Sequence, residues 1–536
     1  MKPDAETYDY VVVGSGFGGA VSALRLAEKG WRVAVVEQGR RIGPQEITRA
    51  KQRVWHLLWL PQVGLRGYFA QHVFRHLVAL GGVGVGGGSL VWGAVMLEPK
   101  QAFYDDPALA DLGIDWREEL APYFTVAKGM LGVRGNPRQT EQDRLLRATA
   151  RRMGVEETFA SVPNAIFFGD GQAACDDVGI TDPYFDGHGP HRAACRFCGG
   201  CLTGCEFGSK NSLDYNYLYL AQQHGAVIMA GRRAGRIVPL PTGGYTVTLT
   251  SGRGRVAQTL ATRNLVLSAG VVGTIELLLR NRDHYRTLPA ISPTLGRLVR
   301  TNSEAITAVM HPPGSDMSDG TAISTDFHPD PHTHATQNRF DRGYRFMRMY
   351  MGPLVDDARP AVRSLKTLLA IVSNPRLLLT NLFAREWEKR LTVFTVMQDV
   401  ENHLSLKLKT AWWSFFRPVL TSASAAGKSP PSYLPVANRV AREFAKECGG
   451  TPMNTLVESL LGKSTTAHIL SGCPMGEHPG ISVIDTRHEV HGYRGFTWWM
   501  GRAFRPMWVL IPVSPSRQWR SVSPTCNRQT TVTKRR

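Results

Sequence analysis

At 536 residues the chain is too long for one simple core, so two intertwined domains are expected. Its hydrophobic content of 43% and its 54 glycines fit a folded protein rich in tight turns and exclude a disordered one; no run of 18 apolar residues offers a membrane span. The net charge of +19 does not mark a nucleic-acid binder: eight basic side chains fall in residues 497–536, the rest are scattered, and no nucleic-acid motif accompanies them, which leaves a solvated surface or one facing anionic lipid.

The opening MKPDAETYDYVVVG enters a strand almost at once and leaves no room for a signal peptide, so a cytoplasmic location is expected. Residues 9–13 read as a buried parallel strand, Ala20 to Lys29 as a helix closed by Gly30, and Val33 to Val36 as a second strand ending at Glu37. Between the first strand and the helix lies Gly14-Ser15-Gly16-Phe17-Gly18-Gly19, a GxGxxG turn. Gly14 permits the turn, Gly16 lets the backbone approach a pyrophosphate, and Gly19 allows close packing of helix on strand. The phosphates then face the helix N-terminus, whose unpaired N–H groups favour an anion. Glu37 can accept from both ribose hydroxyls and disfavours a 2′-phosphate. FAD and NAD share this fingerprint.

Further along come a glycine-rich segment, GGVGVGGGSLVWGAVMLEP (Gly81–Pro99), and CRFCGGCLTGC, which sets Cys195, Cys198, Cys201 and Cys205 within eleven residues. The other four cysteines (Cys175, Cys448, Cys473, Cys526) are dispersed. The spacing C-x2-C-x2-C-x3-C is ferredoxin-like, although Glu206 follows in place of proline. An iron–sulfur cluster, a structural zinc and plain packed thiols remain open. Leu265–Arg280 reads as strand, turn and helix, and Val436–Cys448 as a helix inside a stretch of longer polar loops, 306–464. His468 follows Thr465-Thr466 and precedes small residues, on a loop.

Gly81–Pro99 resembles the first signature of the glucose–methanol–choline (GMC) family of FAD oxidoreductases, and Leu265–Arg280 its second. AHILSGCPMG (Ala467–Gly476) is similar to the family's histidine loop; LGRLVRTNSEA (Leu295–Ala305) and AISTDFHPDPHTH (Ala322–His334) resemble its cholesterol-oxidase-like branch. The resemblance spans about residues 8 to 496. It implies an α/β fold, a Rossmann-like FAD-binding domain (1–305 and 465–536, with a Cys-rich insertion near 175–215) carrying an inserted α+β substrate-binding domain (306–464). It implies FAD rather than NAD, with Gly14, Gly16, Gly19, Glu37, Gly86, Gly87, Gly88, Ser89, Ile237 and Gly270 as cofactor contacts. His468 becomes the base that takes the hydroxyl proton while a hydride passes from the carbinol carbon to flavin N5. The implied substrate is a sterol or similar hydrophobic secondary alcohol, with O2 or another electron acceptor. Thr336 falls where relatives carry an isomerising glutamate, which implies oxidation without a double-bond shift. Read as C-x5-C-x3-C, the cysteines resemble the iron–sulfur site of some GMC dehydrogenases, an electron exit for reduced flavin.

After Gly495 the resemblance stops. Residues 497–536 hold four of the twelve tryptophans and no acid. Taking the last base of each codon with the first two of the next, Trp498-Trp499-Met500-Gly501 must read Val-Asp-Gly and Met507-Trp508-Val509 must read Val-Gly. Permitted codons extend this to IPANVGVNPSLTITAMAER, similar to the family's closing motif. Its catalytic asparagine would span the codons of Leu510 and Ile511. We read a single-base loss near Phe496, which would remove that asparagine with the closing strand and helix. The competing expectation is therefore a catalytically impaired FAD-binding remnant; an NAD-linked enzyme is a third.

Overall fold

The apolar run Tyr10–Val13 has no polar alternation, which suits a strand covered on both faces. In a computed structural model, which describes residues 6–105, 112–169, 178–252, 254–410, 412–414, 416–424 and 428–498, this run ends the strand Glu6–Val13. Val11 and Val13 point into one apolar cluster and Val12 into another. The strand sits mid-sheet in the order Val227–Ala230, Val33–Glu37, Glu6–Val13, Val256–Leu267, Tyr245–Ser251, Arg232–Pro239. Its neighbours Val33–Glu37 and Val256–Leu267 run parallel to it, with Val11 level with Ala34 and Leu265. Between the first two strands the helix Phe17–Ala27 buries Ala20, Ala23, Leu24 and Ala27, one helical stripe. It starts three residues before the expected Ala20, because Gly16 already serves as its N-cap.

Phe496–Trp498 adds a seventh, parallel strand, with Phe496 level with Leu265 and Trp498 level with Leu267, both fully buried. The expectation of an absent closing strand is thus corrected for its first three residues: Thr497 needs only its backbone in the ladder, and Trp498 fills an apolar slot. Trp499 onward, with the codons argued to hide the family motif, lies outside the described residues, as do Cys175 and Cys526.

A second sheet is antiparallel, in the order Met351–Pro353, Thr451–Thr455, Ala305–Met310, Leu391–Gln398, Thr333–Asn338, Thr325–Asp330, Ala160–Ser161. Ala305 and Val309 join the cluster under the helices Glu141–Arg152 and Pro435–Cys448, while Ile306, Ala308 and Met310 face the other way. Residues 141–161 therefore pack on this sheet, although they precede 306 by a long way in sequence.

A third sheet joins the two regions. Ser464–Thr466 runs parallel to Leu77–Gly82, with Thr466 level with Ala79. Two residues beyond Thr466 is His468; two beyond Ala79 the glycine-rich segment begins. The register alone carries the histidine loop and that segment off the same end of the sheet. Among the described residues no helix is long and apolar enough to cross a membrane.

Candidate active site

The cleft is built from backbone. A Cβ on Gly14 (φ +99°) would lie 2.4 Å from Ser268 O, and one on Gly19 would lie 1.9 Å from Gly14 O, so both glycines are demanded by packing. A Cβ on Gly87 would meet Gly16 Cα at 2.7 Å, which lays the glycine-rich loop against the start of the helix Phe17–Ala27. By contrast, a Cβ on Gly16, Gly88 or Gly270 would meet nothing within 4 Å. Three chain segments thus close tightly around glycines that themselves face open space, the shape a diphosphate needs for backbone approach.

Glu37 is buried at the end of its strand. Oε2 accepts from Ser15 N–H (3.2 Å) and Ser15 Oγ (2.8 Å), and Oε1 from Gly39 N–H (2.8 Å). Burial pushes its carboxyl above the ordinary range, against the pull of those donors. A carboxylate offers about four acceptor sites, so ribose hydroxyls can still be taken. The residues therefore fit a dinucleotide. Ser15, an x of GxGxxG, also accepts from Gly86 N–H at 3.1 Å and so ties the glycine turn to the glycine-rich loop. Sequence reasoning missed it.

Two expected contacts are placed otherwise. Ser89 is fully buried and spends its hydroxyl on Gly86 O (2.7 Å) and Leu213 N–H (3.0 Å), bracing the loop. Ile237 has its side chain in the core, and its N–H donates to Asn281 Oδ1 at 2.8 Å, leaving neither for a ligand.

His468 does not stand alone. Its Nδ1 is hydrogen-bonded to Glu304 Oε1, whose other oxygen accepts from Ala467 N–H at 2.7 Å. Asn302 Nδ2 lies 2.8 Å from the same Nδ1. Both nitrogens cannot donate to each other; an ionised carboxylate is the stronger acceptor, so the Nδ1 proton goes to Glu304. Nε2 then carries the lone pair, in a side chain that keeps 27% of its surface exposed. Glu304 itself is 1% exposed. Burial alone would raise its carboxyl, but His468, with donors from Ala467 and Asn302, holds it below the ordinary range. Nearby Glu458, also buried, accepts from Ile306 N–H at 3.1 Å; burial first, and the charge on Glu304 among the rest, pushes it well up. An acid heading the wholly buried strand Ala305–Met310 was the signal for Glu304 in the sequence.

Thr336 lies level with Thr395 and Asp326 on the face of the second sheet that also carries Ile306. It is buried and its hydroxyl has no hydrogen-bond partner among the described residues. The acid on this stretch, Asp326, accepts from His334 Nε2 at 2.7 Å.

Among the described residues no group of three or more His, Cys, Asp or Glu side chains is arranged to hold a metal ion. Cys195 and Cys201 are buried, whereas Cys198 is exposed. Phe197 and Gly199, both left-handed (φ +51° and +65°), turn the chain sharply on either side of Cys198. Burial pushes the Cys201 thiol up to about 11 and the Cys195 thiol higher. The iron–sulfur and zinc readings thus find no support here, although Cys195, Cys198, Cys201 and Cys205 line one cavity. The cysteine stretch has a mechanical part instead. Lys210 Nζ donates to Cys201 O (2.7 Å), Leu90 O (2.9 Å) and Trp92 O (3.3 Å), stitching it to the glycine-rich segment.

Residues 8–281 match the family model of GMC oxidoreductase. The chain is 36% identical over 508 residues to a cholesterol oxidase of Mycobacterium tuberculosis (strain ATCC 25618 / H37Rv), covering 92% of this chain and 86% of that one. It is 35% identical over 498 residues to a cholesterol oxidase of Acinetobacter baumannii (91% and 88% covered). A long-chain-alcohol oxidase of Arabidopsis thaliana, FAO3, is 29% identical over 234 residues, 43% of this chain and 27% of its own. Pyridoxine 4-oxidase from Mesorbium loti, a solved structure, aligns with a TM-score of 0.58 over 93% of this chain and 94% of its own at 14% identity, which shows a shared fold.

Proposed function

The chain belongs to the GMC oxidoreductase family, and from that premise we propose that it binds FAD in the glycine-lined cleft and oxidises a sterol or similar hydrophobic secondary alcohol, with His468 as the base. The observation that carries this reading is the Glu304–His468 pair, held at the end of the strand that runs beside the one entering the glycine-rich segment. FAD, when bound, supplies the hydride acceptor. Glu37 would hold its ribose, and Gly14, Gly16, Gly19, Gly86, Gly87, Gly88 and Gly270 would let the backbone close on its diphosphate and ring system. His468 Nε2 takes the substrate's hydroxyl proton, and Glu304 stabilises the imidazolium that forms. Asn302 donates to Glu304 and holds that carboxylate in place beside the ring. Thr336, in place of an acid, leaves the product's double bond where it is. Residues 1–305 with 465–536 would form the cofactor domain and 306–464 the substrate domain, O2 or another acceptor reoxidising the flavin.

A second reading is favoured by the sequence after Gly495, where the resemblance to the family stops: the chain keeps the cleft and the histidine but lacks the family's asparagine, and turns over slowly. One preparation separates the readings. Purified protein should be yellow, and a sterol should bleach it anaerobically; His468→Ala should keep the colour and lose the bleaching. Restoring one base at the Phe496 codon should accelerate bleaching about 10²–10³-fold, the effect of one polar group on a transition state. Colourless wild-type and repaired proteins would refute FAD binding, equal rates in the two would refute the frame reading, and bleaching of His468→Ala at the wild-type rate would refute the base.

A further inference from the structure

The helix Pro360–Ser373 is inside out. Its buried residues are Arg363 and Thr367. Arg363 donates to Glu458 O (3.1 Å), Asp357 O (2.7 Å) and Ser432 Oγ (2.6 Å), and Thr367 Oγ1 to Ser459 O (3.3 Å). On the opposite side Leu365, Leu368, Leu369 and Val372 fall at i, i+3, i+4 and i+7, one stripe, and are 58%, 49%, 59% and 78% exposed. The next helix, Pro375–Phe383, repeats the arrangement: Asn381 is buried, while Leu379 and Phe383 are 51% and 76% exposed. A soluble helix buries its apolar stripe; two in succession that turn it outward mark a surface meant to be covered.

We propose that this face docks on the surface of an anionic phospholipid bilayer. Charge selects that occupant. From Ala358 to Arg385 there are five basic side chains and no acid. Asp357 pairs with Arg359 and Lys366, whereas Arg376 and Arg385 are exposed beside the apolar stripe. Basic side chains flanking an outward apolar helix face are the arrangement of interfacial helices, in which the stripe enters the acyl boundary and the cations meet lipid phosphates. The docked face is also joined to the candidate site. The helix Pro360–Ser373 sits on the short helix Leu456–Ser459, whose Glu458 side chain holds Ile306 N–H, two residues from Glu304. Docking there would set the enzyme on the phase that holds its substrate; this inference rests on the hydrophobic-alcohol reading, but binding can be measured without turnover.

The test is co-sedimentation of the full chain with vesicles of phosphatidylcholine containing one-third phosphatidylserine, and with phosphatidylcholine alone. The wild type should sediment with the anionic vesicles and much less with the neutral ones. Leu369→Glu with Val372→Glu should lower the bound fraction at least about tenfold at unchanged thermal midpoint, because both side chains already face solvent. Arg376→Glu with Arg385→Glu should erase the preference for anionic lipid. A wild type that ignores both vesicles, a Leu369/Val372 variant that sediments like the wild type, or a wild-type dimer that this variant turns into a monomer would each overturn the proposal, the last by naming a second copy as the cover. Vesicle binding without alcohol oxidation would count against the substrate reading alone.

Discussion

Glu304→Gln tests the candidate site at its least conspicuous point. Both carboxylate oxygens accept, Oε1 from His468 Nδ1 and Oε2 from Ala467 N–H. Glutamine has one acceptor oxygen and a donor amide, so it can satisfy only one of them. If the oxygen stays on Nδ1, the amide confronts Ala467 N–H, and a buried N–H without a partner costs about 1–3 kcal/mol of stability. If the amide faces Nδ1, the ring must move its proton to Nε2 and loses its lone pair toward the substrate. In the milder case a charge-assisted hydrogen bond to the developing imidazolium becomes a neutral one roughly half as strong, a loss of about 1–2 kcal/mol or about 5–30-fold in rate. We therefore expect flavin reduction, followed anaerobically in a stopped-flow instrument, to slow at least about fivefold with flavin content unchanged. Glu304→Asp should recover part of the rate. The carboxyl lies below its ordinary value in the folded protein, so its contribution to stability is fully present above the ordinary carboxylate range and fades as pH falls through the depressed value. The variant should lack that acid-side loss. An unchanged reduction rate across pH in a folded Glu304→Gln protein would refute a part for the pairing in the reaction.

Three further substitutions probe the cleft and its bracing. Glu37→Gln, which keeps the shape but not the charge, should lower flavin occupancy about tenfold at constant helix content, as one charged ribose acceptor becomes neutral; full occupancy after dialysis would strip Glu37 of its role. Cys198→Ser should change stability by less than about 0.5 kcal/mol, whereas Cys201→Ser, in the core, should cost about 1–2 kcal/mol; stoichiometric iron and sulfide in anaerobic preparations would restore the cluster reading. Burial holds the Lys210 ammonium down to about 8, so the unfolded chain binds the extra proton between about pH 8 and the ordinary lysine range, and folding stability at this group rises with pH across that window. Lys210→Met should remove that rise relative to wild type in denaturant titrations and loosen flavin binding; a parallel pH dependence in both proteins would contradict the assignment.

The nucleotide half of this molecule is legible in the sequence because its signals are local. Strand, glycine turn, helix, strand and terminal acid all fall within residues 9–37, and Gly14 and Gly19 answer contacts made by near neighbours or by the end of the adjacent strand. Glu304 is not legible in that way. It meets His468 only because Val299–Arg300 pairs with Leu470–Ser471 and because Ser464–Thr466 is pinned to Leu77–Gly82. Ser15 escaped notice as a variable position of its motif, although two of the three donors on Glu37 are its own N–H and hydroxyl. The convergence of the cysteines was legible from their spacing, since all four line one cavity, but spacing does not say what that cavity holds. Left-handed turns at Phe197 and Gly199 leave Cys198 outside while its neighbours are buried. The inverted helix Pro360–Ser373 was hidden because a periodic apolar stripe reads as core whichever way it faces.

These placements explain how a cleft can outlast a damaged terminus. Every wall identified around the glycines comes from residues 14–40, 81–90 and 268–270, and the histidine pair from 302–304 and 466–468, all before Phe496. What Phe496–Trp498 adds is apolar: both aromatic side chains are fully buried against the strand Val256–Leu267, whose end leads through Ser268 into Gly270. Trp498 thereby supports the floor of the cleft without touching its polar groups. On the proposed reading of the tail, an altered reading frame that keeps three strand residues would preserve the architecture that binds while removing a group the family uses to react, because different stretches of sequence would supply binding and turnover.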